Sequence, residues 1–174
     1  MLIYPVQKVP QASLEAATVA LKEAYGTTVE VEGSIPVPQD AYSARRQQYL
    51  ASAFLKALGR LPRHGTGEAK LLAVTVLDLY VPELNFVFGQ AEMGGRSAVV
   101  SAARLDPRFF GQPADKRLLK ERLKKEVVHE VGHCLGLRHC PDPACVMHFS
   151  NSLADTDRKQ AKPCAHCSRR LGGK

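Results

Sequence analysis

Residues 129–139 read HEVGHCLGLRH. His129 and His133 lie four apart in a stretch with helical character. At 3.6 residues per turn they project from one face, one turn apart, which suits two imidazole ligands on a tetrahedral ion. Glu130 adjoins the first of them. It is within reach of a water at such a centre, whose proton it can take and later pass to a leaving amine. Gly136 has no Cβ, so it can adopt a left-handed conformation, end the helix and turn the chain sharply. That turn returns His139 as a third ligand. Three protein ligands leave a fourth position open, the signature of a catalytic rather than a structural zinc. Five fixed positions at roughly one in twenty each give a chance expectation on the order of 10⁻⁴ for this chain, which disfavours coincidence.

The five cysteines, at 134, 140, 145, 164 and 167, all fall in the last quarter of the chain. Cys140-x4-Cys145 and Cys164-x2-Cys167 form two knuckles with structural-zinc spacing. Four thiolates complete a tetrahedron and leave no open position. Two disulfides, or an iron–sulfur centre, are the alternatives for the same four residues. Cys134 is left over and reads as a small buried residue, with a redox role as the alternative. His148 and His166, close to the ligands, read as exposed or as partners of ligand side chains. His64, in a glycine-rich loop, reads as solvent-facing. Taken by itself, Met147 is a flexible apolar filler under a polar centre.

HExxHxxGxxH resembles the metzincin clan of zinc peptidases. The longer pattern HExxHxxGxxxCxxxxCxM, followed by a distant CxxC, is similar to the archaemetzincin family, and it covers 129–167. The resemblance implies a zinc-dependent metallopeptidase. It implies His129, His133 and His139 as ligands, Glu130 as general base and Met147 as the residue of the Met-turn beneath the zinc. It also implies a metzincin-like mixed twisted sheet and an edge strand that aligns an extended peptide, a part that falls to Phe86–Ala91 by position.

The elements that must position these residues follow from pattern. Leu2–Val6 reads as a strand and not as an export signal, because no basic segment precedes it. Leu14–Tyr25 has a helical apolar period, with Ser13 as N-cap and Gly26 as stop. Thr27–Val31 is a β-branched strand, and Pro36 and Pro38 make a turn. Asp40 caps a second helix through Tyr42, Tyr49, Phe54 and Leu58, ending at Gly59. Residues 60–69 are loop. Lys70–Asp78 is a continuous apolar run, as a strand buried on both faces should be. Phe86–Ala91 and Ala98–Ala103 are strands joined through a Gly94-Gly95 turn. Asp106 and Pro107 open a loop, and a third helix runs from near Pro113 to about Leu135. The expectation is a mixed α/β subdomain over 1–136 ending in the active-site helix. A small irregular, zinc-stabilised lobe over 137–174 should follow, with a cleft between the two. That lobe cannot bury enough apolar area by itself and needs a metal.

The chain has 174 residues, 45% hydrophobic and 24% charged, enough for one core without disulfides. Its longest nearly apolar run, Leu71–Val81, is too short to span a bilayer. A cytoplasmic monomer acting on peptides, away from membranes, is the expectation. The formal charge of +7 raises nucleic acid as a partner. The densest basic run, KRLLKERLKK at 116–125, contains a Glu and reads as a solvated helix face. Residues 150–174 carry basic side chains but no aromatic, which disfavours nucleic acid. The alternative function is a zinc-knuckle module that binds nucleic acid or protein. Glu130 argues against it, since a binding module needs neither that carboxylate nor an open three-histidine site. Two zinc ions per chain are expected, one catalytic and more labile, one structural and tightly held.

Overall fold

The computed structural model describes residues 1–62 and 69–172. His64 lies outside the described residues. A five-stranded sheet has the order β2-β1-β5-β8-β7, with β1 at Leu2–Pro5, β2 at Glu30–Val31, β5 at Leu71–Thr75, β7 at Gly89–Ala91 and β8 at Ser97–Ser101. The first four strands in that order are parallel; only β7 runs antiparallel, at the edge. Both faces are covered, which explains the uninterrupted apolar run of β5. Ile3, Leu72, Val74, Ala98 and Val100 face α1 (Gln11–Tyr25) and α3 (Lys116–Cys134). Leu2, Tyr4, Leu71, Ala73 and Val99 face α2 (Ala51–Gly59) on the other side. The alternation along each strand is the two-residue period of a pleated sheet.

The helix over 14–25 begins earlier than its apolar period suggested. It starts at Gln11 behind Pro10, and Ser13 lies inside it, buried, rather than capping it. Pro10 sets φ at −56° and primes the first turn, so no side-chain cap is made. Gly26 ends the helix at φ 60° as expected.

The larger correction concerns 40–50. No helix starts at Asp40. Tyr42–Ser43 (β3) and Gln48–Leu50 (β4) form a hairpin, and β4 pairs with Leu79–Tyr80 (β6). The tyrosines assigned to a helix face instead stand opposite each other across the hairpin, with ring centroids 5.1 Å apart. Gln48 Nε2 donates to Asp78 and to the Asn85 carbonyl, tying the hairpin to distant chain. A tertiary anchor of this kind overrides local period. Beyond Asp106, which caps it, Pro107–Phe110 is a short 3-10 helix rather than loop.

The C-terminal segment contains two short helices, α4 (Leu153–Arg158) and α5 (Ala165–Gly172), separated by irregular chain. Ser152 and Asp155 form a capping box at α4. Cys140, Cys145, Val146, Met147 and Cys167 pack into the α1–α3 core. Among the described residues no helix is long and apolar enough to cross a membrane.

Candidate active site

Helix α3 starts at the surface and ends inside the protein. Asp115 caps it by accepting from Leu118 N at 2.8 Å. Lys116 and Arg117 are exposed, but every residue from Glu126 to Cys134 is buried. The basic run is therefore only partly a solvated face: Arg122 is buried, and its guanidinium donates to both oxygens of Asp157 at 2.7 Å. The polar residues of the motif enter the interior on one helix whose backbone is satisfied internally.

Each buried imidazole is aimed by its second nitrogen. His129 Nδ1 lies 2.7 Å from the Val146 carbonyl and His133 Nδ1 2.7 Å from the Leu137 carbonyl. Burial, the main cause, holds the His129 pKa well below the usual imidazole value and lowers that of His133. A neutral ring that donates through Nδ1 presents a bare lone pair at Nε2. The two Nε2 atoms are 3.1 Å apart. Two lone pairs facing at that distance repel unless a cation lies between them. Gly136 takes φ 91°, and the turn it permits brings His139 round to the same point. The His139 ring stands 5.4 Å from that of His129 and 4.9 Å from that of His133. Ligand atoms of the three lie within 4.8 Å of one another, so they could hold a metal ion. Tetrahedral bonds of ~2.1 Å demand nitrogens about 3.4 Å apart, and the pair on the helix comes close to this.

The four cysteines form a second cluster with all Sγ atoms within 4.8 Å. Cys140 and Cys164 sulfurs are 3.9 Å apart, those of Cys145 and Cys167 3.8 Å. A disulfide needs about 2.05 Å. Tetrahedral zinc–thiolate bonds of about 2.3 Å place sulfurs ~3.8 Å apart. The spacing fits a single tetrahedral metal ion and not a pair of disulfides. Cys134 is apart from this cluster, buried, with its thiol 3.4 Å from the Ser97 carbonyl. Burial pushes that thiol up to about 12. His148 Nδ1 meets the Cys140 carbonyl at 3.0 Å, and His166 is exposed.

Met147 is fully buried against α3. A Cβ on Gly132 would collide with its sulfur and stand 2.8 Å from the Tyr25 hydroxyl. Glycine between the two helical histidines thus lets the Met147 turn close on the helix. At the C-terminus of α3 the loop between β7 and β8 closes in as well, Gly94 N donating to the His133 carbonyl at 2.8 Å.

These parts surround one cleft of about 430 Å³. His129, Glu130, His133 and His139 form part of its lining, with the edge strand β7 on one wall and Phe149–Asn151 on another. Glu130 is buried there. Burial raises its carboxyl well above the usual range, Glu126 adds to this and Lys159 opposes it. Glu126 and Lys159 were not anticipated from sequence. They form an ion pair at 3.0 Å whose side chains are 3% and 0% exposed. Thr156 donates to the same Glu126 oxygen, and Lys159 also donates to the His148 carbonyl. Glu126 carries a signal that was legible, since it lies one turn before Glu130 on the same helix face. Lys159 carries none.

Comparison with known proteins agrees with this arrangement. Residues 15–172 match the family model described as Peptidase family M54. An archaemetzincin of Pyrococcus furiosus is 44% identical over 176 residues, covering 98% of this chain and 91% of that protein. The crystal structure of archaemetzincin from Methanopyrus kandleri superposes with a TM-score of 0.85 at 40% identity, covering 99% of this chain and 93% of that one. A zinc-dependent peptidase from Methanocorpusculum labreanum gives 0.86 at 30% identity, covering 98% of each chain. Fold, histidine cluster and relatives together define a zinc metallopeptidase. Within that class the chain belongs to peptidase family M54, the archaemetzincins. The zinc-knuckle binding module gives way to this membership as the reading of the whole chain.

Proposed function

We propose that this chain hydrolyses peptide bonds with Glu130 as general base at a centre held by His129, His133 and His139. The observation that carries the reading is the buried Glu130 side chain lining the same cleft as three imidazoles whose nitrogens converge. A zinc ion bound there supplies a Lewis acid that polarises the scissile carbonyl and lowers the pKa of a water to about 7. Glu130 takes a proton from the attacking water as its oxygen bonds to the carbonyl carbon. The same carboxyl then gives that proton to the leaving amine as the carbon–nitrogen bond breaks. Among the described residues strand β7 is paired on one side only, with β8, which supports its use as the template for an extended substrate.

Cys140, Cys145, Cys164 and Cys167 hold a second, structural zinc in this reading, for two ions per chain. Met147 forms the Met-turn under the three-histidine centre. The division into 1–136 and 137–174, a cytoplasmic location and a monomeric state belong to the same proposal. Glu130→Gln tests it: the variant keeps shape and zinc content, and turnover falls at least about 100-fold. Turnover at the parent's rate would remove Glu130 from the mechanism.

A further inference from the structure

The Glu130 side chain is buried, yet among the described residues no hydrogen bond contributes to its environment; its charged neighbours are Glu126 and Lys159. What confines it is the backbone of β7. A Cβ built on Gly89 would lie 2.6 Å from Glu130 Cγ, 2.8 Å from its Oε1 and 2.7 Å from the Val99 carbonyl oxygen. Ordinary carbon contacts begin near 3.5 Å, so all three are collisions. A left-handed backbone does not explain glycine at 89. Among the described residues the glycines with positive φ are Gly26, Gly94, Gly111 and Gly136, and Gly89 pairs in register with Val100. Its missing side chain leaves room that the Glu130 side chain and the Val99 carbonyl oxygen share.

We propose that Gly89 is a positioning residue for the peptidase reaction: its bare backbone is the wall that confines the Glu130 side chain in the cleft it shares with His129. This rests on Glu130 being the general base. Any side chain at 89 must displace Glu130 or force β7 away from β8. The Val99 carbonyl belongs to a fully buried strand residue and yields less readily than a carboxylate side chain on the cleft. β7 is also the edge strand proposed to align the substrate. One strand therefore positions both the peptide and the base that acts on it.

Gly89→Ala tests the inference in two backgrounds. In the parent, kcat should fall about 10–100-fold, because a displacement near 1 Å costs about that much. KM should stay within about threefold and zinc content should not change. In the Glu130→Ala background both Glu130 contacts are gone and only the Val99 collision remains, so the drop in Tm caused by Gly89→Ala should be smaller than in the parent. Equal drops in the two backgrounds would overturn the proposal. So would a raised KM with kcat intact, which would make Gly89 a substrate contact. If Gly89→Ala alone fails to fold, Gly89→Ala/Glu130→Ala should fold, and failure of both overturns the proposal. A fully active Glu130→Gln would defeat the general-base reading instead, while the Tm comparison would still report whether Gly89 confines residue 130.

Discussion

Lys159→Met should be among the costly substitutions outside the metal ligands, because it breaks a buried ion pair. The ammonium and the Glu126 carboxylate are 3.0 Å apart and almost entirely shielded from water. Methionine fills most of the lysine's volume but leaves Glu126 a buried carboxylate with the Thr156 hydroxyl as its one remaining donor among the described residues. Removing one partner of such a pair costs about 3–5 kcal/mol, mainly the desolvation of the charge left behind. At about 2–4 °C per kcal/mol for a chain of this size, Tm should fall by roughly 6–20 °C. Lys159→Met/Glu126→Leu removes both charges and should recover at least half of that loss, because the uncompensated carboxylate is gone. Arg122→Met, at the neighbouring α3–α4 contact, is the control. Its partner Asp157 has a side chain 39% exposed, so water takes over when the guanidinium is lost and the cost stays smaller. Thermal denaturation of the four proteins decides the matter. A Tm for Lys159→Met within about 3 °C of the parent, or a double variant as unstable as the single one, would refute the reasoning.

The two proposed metal centres should part with zinc unequally. The cysteine site is closed and anionic, whereas the three-histidine site has neutral ligands and an open position, so a mild chelator should abolish activity first and leave the fold intact. His133→Ala should be inactive with a near-parental Tm. Cys164→Ser should lower Tm and also loosen the histidine site, because His139 and Cys140 are adjacent in the chain. Zinc stoichiometry and Tm of the two variants check this, and the reverse pattern would interchange the roles. Thiol labelling reports on the fifth cysteine. With its pKa pushed up to about 12 by burial, Cys134 is thiolate to about one part in ten thousand at pH 8. A thiol reagent should modify the four clustered cysteines once their zinc is stripped, and Cys134 only after denaturation. Rapid labelling of Cys134 in the native protein would contradict its burial.

The chemistry of this chain was legible wherever it depends on short-range geometry. Two histidines one helical turn apart, a carboxylate beside the first and a glycine able to turn the chain back are local relations, and the helix and turn at 129–139 keep them. The cysteine pairs follow the same rule, each knuckle being closed by a few residues of chain. The doubly covered strand β5 was legible because burial on both faces leaves an unbroken apolar run. The hairpin at 42–50 was not, since its tyrosines repeat at a spacing compatible with a helix and the strand pairing is tied to distant chain, by Gln48 to Asp78 and the Asn85 carbonyl and by Arg46 to the Leu84 carbonyl. Nor did any local pattern bring Lys159 to Glu126 or Gly89 to Glu130. Those contacts join elements distant in the chain. Their distances are set by how α3 lies against the sheet and how the C-terminal segment folds onto α3. Periodicity and spacing are properties of neighbours, so they specify which groups a segment presents. Which groups meet across segments is decided when packing and the exclusion of water select one arrangement of the whole chain.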